Sequence, residues 1–104
     1  MTTRFDPNTA LAQLTRSNNP IGRLSAMVGA YNFLHSADSV MFRFRGCRRA
    51  NYCKITLDGA SDTYSVSFHK VGKLDSKDVA AFGGIYADGL MPAFEKTTGL
   101  YLSL

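Results

Sequence analysis

Val40-Met41-Phe42-Arg43-Phe44-Arg45, Tyr52-Cys53-Lys54-Ile55-Thr56-Leu57 and Thr63-Tyr64-Ser65-Val66-Ser67-Phe68-His69 decide how this chain folds. In each stretch apolar and polar residues alternate with the period of two that a strand imposes on its side chains. Val40, Phe42 and Phe44 fall on one side of the first, and Met41, Arg43 and Arg45 on the other. Cys53, Ile55 and Leu57 oppose Tyr52, Lys54 and Thr56 in the second; Tyr64, Val66 and Phe68 oppose Ser65, Ser67 and His69 in the third. Residues 30–35, with Tyr31, Phe33 and Leu34, add a first strand before the turn Ser36-Ala37-Asp38-Ser39, and a turn over 58–62 begins at Asp58-Gly59. The pattern predicts an antiparallel meander of three to four strands, apolar on one face and polar on the other, with helices covering the apolar face only.

The flanking segments read as helix. Asp6 followed by Pro7 has N-cap and first-turn chemistry, and Leu11 and Leu14 begin an apolar stripe over 7–17. Ser17-Asn18-Asn19-Pro20 stops that helix and caps a second from Pro20 to Val28, with Ile21, Leu24, Met27 and Val28 on one side and Gly29 closing it. After the strands, Asp75 or Ser76 caps a short helix to about Phe82, which Gly83-Gly84 breaks. A final helix spans about Ile85 to Thr98 with Leu90 and Phe94 buried; Pro92 either kinks it or marks its true first turn. The tail Leu100-Tyr101-Leu102-Ser103-Leu104 is apolar enough to dock as a short edge strand. Helices, then strands, then helices argue a single α+β domain over residues 1–104 rather than a parallel α/β sheet.

Composition narrows the function classes. The chain has 104 residues, of which 45% are hydrophobic and 12% aromatic, so it can bury a core and is neither a disordered tail nor a collagen-like repeat. Two cysteines are too few for a disulfide scaffold, and no apolar run approaches the roughly 20 residues that span a bilayer. The start, residues 1–9, has no apolar segment and carries Asp6, which argues against a secretory signal. A cytoplasmic protein with both thiols reduced is expected.

Charge is unevenly placed. The net charge is +4, but residues 1–54 hold 8 basic and 2 acidic groups while residues 55–104 hold 4 basic and 6 acidic. No acid lies between Asp38 and Asp58, where Arg43, Arg45, Arg48, Arg49 and Lys54 cluster. Arginine forks suit carboxylate and phosphate oxygens. The loop Gly46-Cys47-Arg48-Arg49-Ala50-Asn51 joins two strands whose polar faces carry Arg43, Arg45 and Lys54, so these cations are expected to converge at one end of one face, with Tyr52 beside them as a stacking or anchoring ring. The plain alternative is a basic hairpin tip in water. Sheet readers of single strands usually present two or three aromatics, and Tyr52 stands nearly alone in the pattern, which weighs against single-stranded readout and leaves phosphate-backbone contact or protein binding open.

Motifs for catalysis are absent from the sequence. His35 and His69 with Cys47 and Cys53 do not make a zinc spacing, no nucleophile elbow occurs, and the glycines form no phosphate-cradling loop. Cys47, beside Arg48 and Arg49, is the one candidate for a reactive thiol; Cys53 falls on the apolar face. No cofactor or metal is expected.

Two stretches carry a resemblance. Phe42-Arg43-Phe44-Arg45-Gly46-Cys47-Arg48-Arg49-Ala50-Asn51, followed by Ile55-Thr56-Leu57 and Asp62-Thr63-Tyr64, is one; Tyr86-Ala87-Asp88, Phe94-Glu95 and Thr98-Gly99-Leu100-Tyr101-Leu102-Ser103-Leu104 is the other. Across about residues 20–104 the chain resembles small proteins encoded in phage and prophage genomes. That resemblance implies a bacterial host cytoplasm and an accessory role, and it transfers no site residue. Small phage proteins without enzyme motifs often bind and disable host machinery, anti-CRISPR proteins among them; a basic chain would not do so by mimicking nucleic acid. The first expectation is therefore a non-enzymatic inhibitor of a host protein or nucleoprotein complex, contacting it through Arg43, Arg45, Arg48, Arg49, Tyr52 and Lys54. The alternative is a nucleic-acid-binding accessory protein of phage replication or recombination.

Overall fold

The computed structural model describes residues 6–58, 63–100 and 102. Helices α1 (Pro7–Thr15) and α2 (Pro20–Val28) precede five strands, β1 (Tyr31–His35), β2 (Ser39–Arg43), β3 (Tyr52–Asp58), β4 (Thr63–Val71) and β5 (Ser76–Ile85). A 3-10 turn, Ala87–Gly89, leads into α3 (Leu90–Thr98). The strands form one antiparallel meander in the order β1-β2-β3-β4-β5. The α+β layout matches the sequence pattern; the strand number, five rather than three to four, does not.

Local chemistry sets the helix ends. Asp6 Oδ1 accepts from the Asn8 amide at 3.0 Å and Asp6 Oδ2 from the Thr9 hydroxyl at 2.9 Å, which satisfies two donors at the start of α1. Asn19 caps α2 by accepting from the Gly22 amide at 3.3 Å. Gly29 closes α2 at φ 63°, a conformation that costs other L-residues roughly 1–2 kcal/mol. Leu24 and Val28 are buried as the stripe predicts, but Ile21 is 45% exposed.

The core lies between the helices and one side of the sheet. Phe42, Phe44, Cys53, Ile55, Val66 and Phe68 point inward and meet Leu11 and Leu14 of α1, Leu24 of α2 and Phe94 of α3 in one cluster. Phe94 is its centre: its ring lies 5.2 Å from Phe44, 5.8 Å from Phe68 and 6.3 Å from Phe42. Such aromatic pairs add about 0.5–1.5 kcal/mol beyond burial. Buried polar groups are satisfied: Thr15 and Thr98 donate to Leu11 O and Phe94 O of their own helices, and the Tyr64 hydroxyl meets Gln13 Oε1 at 2.7 Å.

Two elements differ from the sequence reading. Residues 76–82 form strand β5, not a short helix. Lys77, Asp78, Ala80 and Ala81 are compatible with helix, but β4 presents a nine-residue edge, and pairing with it places Phe82 opposite Val66 and Ala80 opposite Phe68. Tertiary pairing overrides local propensity here. Asp75 is then a turn residue, its carbonyl accepting from Gly72 N at 2.7 Å, and Gly84, at φ 65°, sits within the strand. The last helix starts at Leu90 rather than Ile85, so Pro92 occupies its first turn, where no intrahelical amide is lost. The turn expected over 58–62 lies, apart from Asp58, outside the described residues, as does the tail beyond Leu100 except for Leu102. Leu102 is fully buried, and its amide donates to Glu95 Oε2 at 2.9 Å.

Phe44→Ala removes a ring that is 1% exposed and touches Phe94 and Phe42. The substitution is expected to cost about 3–5 kcal/mol in a denaturant titration. A loss under 1 kcal/mol would show that the aromatic cluster is not the core.

Candidate functional site

All three helices feed one cluster on the inward side, so no helix among the described residues covers the outward side of the sheet. Strand register aligns a row of side chains across it: Tyr31 opposite Arg43, Arg43 opposite Tyr52, Tyr52 opposite His69, and His69 opposite Asp78. Neighbouring strands are about 4.8 Å apart, so the row crosses the whole sheet with an aromatic on either side of Arg43. The next row holds Met41, Lys54, Ser67 and Ala81. Arg43 and Tyr52 are half-buried and Lys54 is exposed.

Tyr31 is the residue that periodicity misses. In a regular strand Tyr31 and Phe33 would share a face. Asn32 adopts φ 59° and the β1–β2 register shifts between Tyr31 and Leu34. This extra residue turns Phe33 inward, stacked on Phe42 at 5.6 Å, and leaves Tyr31 outward and 40% exposed. Asn is among the few side chains that tolerate this backbone, which is the signal the sequence does contain. Arg45 lies with its guanidinium carbon 4.8 Å from the Tyr31 ring centroid, a cation–π contact worth about 0.5–1 kcal/mol at an exposed site.

His69 is fixed at both nitrogens. Nδ1 lies 2.9 Å from Asp78 Oδ1 and Nε2 lies 3.1 Å from Ser67 Oγ. The order Ser67–His69–Asp78 is that of a nucleophile relay. A working relay buries its carboxylate, whereas the Asp78 side chain is 91% exposed. The trio instead orients the imidazole so that Tyr52 meets it edge-on at 5.7 Å. Burial raises the Tyr52 phenol above its ordinary pKa, the positive charge of Arg43 only partly opposing this, so the ring is a neutral stacking and donor group at neutral pH. Among the described residues no three His, Cys, Asp or Glu side chains converge as a metal site.

The six residues singled out by sequence do not form one cluster. Arg43, Tyr52 and Lys54 share the outward face, with Arg45 at its β1 margin over Tyr31. Arg48 and Arg49 leave it. Their loop turns toward the helical layer: Ala50 is 1% exposed, Cys47 packs against the core, and a Cβ on Gly46 would come within 3.3 Å of Leu100. The loop exit is held by Asn51, whose side-chain amide donates to Val71 O at 3.0 Å and accepts from Val71 N at 2.8 Å. Arg48 and Arg49 thus line a depression with Lys96 and Gly99, at the C-terminal end of α3, where cations offset the helix dipole.

A second feature lies on that helical side. A groove of about 710 Å3 runs between β5 and α3, lined by Val79, Ala80, Phe82 and Ile85 on one wall and Pro92 and Ala93 on the other. Arg49 and Lys96 stand at its rim. No helix among the described residues is long and apolar enough to cross a membrane. No protein-family model, curated protein or solved structure matches the chain.

The cysteines differ in reach. Cys53 is fully buried, and burial pushes its thiol pKa well up, while Cys47 is half-exposed. A thiol reagent such as Ellman's is expected to titrate Cys47 alone in the native protein and Cys53 only after unfolding. Fast reaction of both in native buffer would contradict the core position of Cys53.

Proposed function

We propose that this chain is a non-catalytic binding protein whose uncovered sheet face holds a single-stranded nucleic acid. The observation that carries this reading is the row Tyr31–Arg43–Tyr52, two rings flanking a guanidinium on an open sheet. Aromatic rings on β1 and β3, roughly 9–10 Å apart across β2, offer bases a π-face on either side of the guanidinium, and each base–ring stack is worth about 1–3 kcal/mol by alanine substitution. Arg43, Arg45 and Lys54 supply the phosphate contacts. The only acid in the row, Asp78, is at the far β5 end and bonded to His69, which directs a polyanion across β1–β3.

Binding to an unstructured oligonucleotide, followed by fluorescence anisotropy, is expected to weaken with salt at a log–log slope of about −2, for three neutralised phosphates. Tyr52→Ala is expected to lower affinity roughly 5- to 150-fold, and Lys54→Ala to reduce the slope by about 0.7. No binding at low salt would end this reading.

A protein target, as for the phage-type inhibitor expected from the sequence, is the second reading. It is favoured by the position of Arg48 and Arg49 away from the open face, beside the apolar groove. The double substitution Arg48→Glu with Arg49→Glu separates the two. At about 0.15 M salt, oligonucleotide affinity is expected to fall far less than with Arg43→Glu if the sheet face is the site, because Arg48 and Arg49 turn toward the end of α3 and screening at that ionic strength limits their reach to about 8 Å. Loss of binding to a protein target with oligonucleotide affinity intact would favour the second reading.

A further inference from the structure

The groove between β5 and α3 carries an inference that does not depend on what the open sheet face holds. Among the described residues the helical layer is incomplete. Phe94 draws α3 over Phe42, Phe44 and Phe68, which belong to the middle of the sheet or its immediate flank, and β5 is left beyond it. On the helical side of β5, Ala80 and Ile85 are partly buried against the core, but Phe82 is 42% and Val79 36% exposed, although Phe82 already packs edge-on against buried Phe68. Tyr86, just after the strand, is 67% exposed. An apolar groove of this kind, walled on both sides and rimmed by charge, has the form that helix-in-groove partners use.

We propose that this groove receives an amphipathic helix of a partner protein, with apolar residues on one stripe and acidic residues on its flanks. The shape argument is architectural. A helix laid beside α3 on the same face of the sheet would complete the layer, and its i, i+3, i+4 and i+7 side chains would span the groove as helix-in-groove partners do. The charge argument sets the flank. The rim carries Arg49 from the β2–β3 loop and Lys96 from α3, with Arg48 in the adjoining depression, against Asp88 as the one lining carboxylate. An acidic flank meets two or three cations; a basic one is repelled.

A second copy of this chain does not supply that helix. The segments of α1 and α2, Pro7–Thr15 and Pro20–Val28, contain no Asp or Glu. The one acid of α3, Glu95, accepts the Leu102 amide and belongs to the packed side. Antiparallel pairing of two β5 edges would extend the sheet but leave both grooves open on the helical side, since edge pairing covers backbone rather than a face.

The test uses the whole protein and two synthetic helical peptides. Both have leucines at i, i+3, i+4 and i+7 and a single Trp, which the chain itself lacks; one has Glu flanks and the other Lys flanks. Amide chemical-shift mapping with the Glu peptide is expected to move resonances of residues 79–86 and 92–97. The Glu peptide should bind at least 10-fold more tightly than the Lys peptide. Arg49→Glu with Lys96→Glu is expected to reverse that preference, and Phe82→Ser to weaken both peptides. The charge-reversal pair alters exposed side chains only, so it keeps the test valid if Phe82→Ser does not fold. Equal affinity for both peptides, shifts confined to the open sheet face, or a groove protected by self-association in sedimentation would each overturn the proposal.

Discussion

Phe94 holds this architecture together. Its ring meets Phe42 and Phe44, on or just past β2, and Phe68 of β4 at once. Those rings point inward because strand side chains alternate, so the outward residues between them are fixed by the same packing. Arg43 lies between Phe42 and Phe44, and His69 follows Phe68. A binding face is thereby aimed by the core, one residue away along each strand, without contributing to it. The seat of Phe94 also decides what is left uncovered. By placing α3 over the centre of the sheet it leaves β5 only partly covered, and the groove between the two is the result.

The central sheet was legible because its signal is repetitive. Three strands keep the same period, and of the inward residues named from it Val40, Phe42, Phe44, Cys53, Ile55, Tyr64, Val66 and Phe68 are buried, while Leu57, near the end of β3, is only partly so. Caps were legible for a different reason: Asp6, Asn19 and Gly29 act through their own backbone neighbours, so a few residues of sequence contain the whole interaction. What escaped was non-local. Residues 76–82 have no strong strand pattern of their own, and they become β5 only because β4 offers a partner edge. Tyr31 faces outward because one residue, Asn32, breaks the alternation, and a period count cannot show where it fails. The basic loop was recognisable as a loop, but its direction is set by Ala50 and Leu100 packing on the helical side, contacts that no local pattern encodes.

The positive charge of the N-terminal half therefore serves two surfaces. Arg43, Arg45 and Lys54 remain with the open sheet, where aromatic rings sit between them. Arg48 and Arg49 cross to the end of α3, where carbonyls at the helix terminus and the rim of the groove provide a different setting. The sheet itself separates the two groups, so ligands on its opposite sides need not compete. Sequence proximity alone would have placed all five cations on one contact.

The meander also constrains how the chain reaches this state. Each strand pairs with its sequence neighbour, so every sheet contact closes a short loop, and hairpins of that kind form quickly. The helical layer is the opposite case. Arg16, at the end of α1, donates to the carbonyl of Asp88, 72 residues away, and α1 packs against both the 3-10 turn and α3. Closing so long a segment costs loop entropy before any contact repays it. A nascent sheet that has zipped up from its turns would still expose Phe42, Phe44 and Phe68 until α3 docks and α1 seals it. Where the sheet zips up first, the step that closes the core is the meeting of the two helical ends, and until it is made the apolar face of the sheet is open.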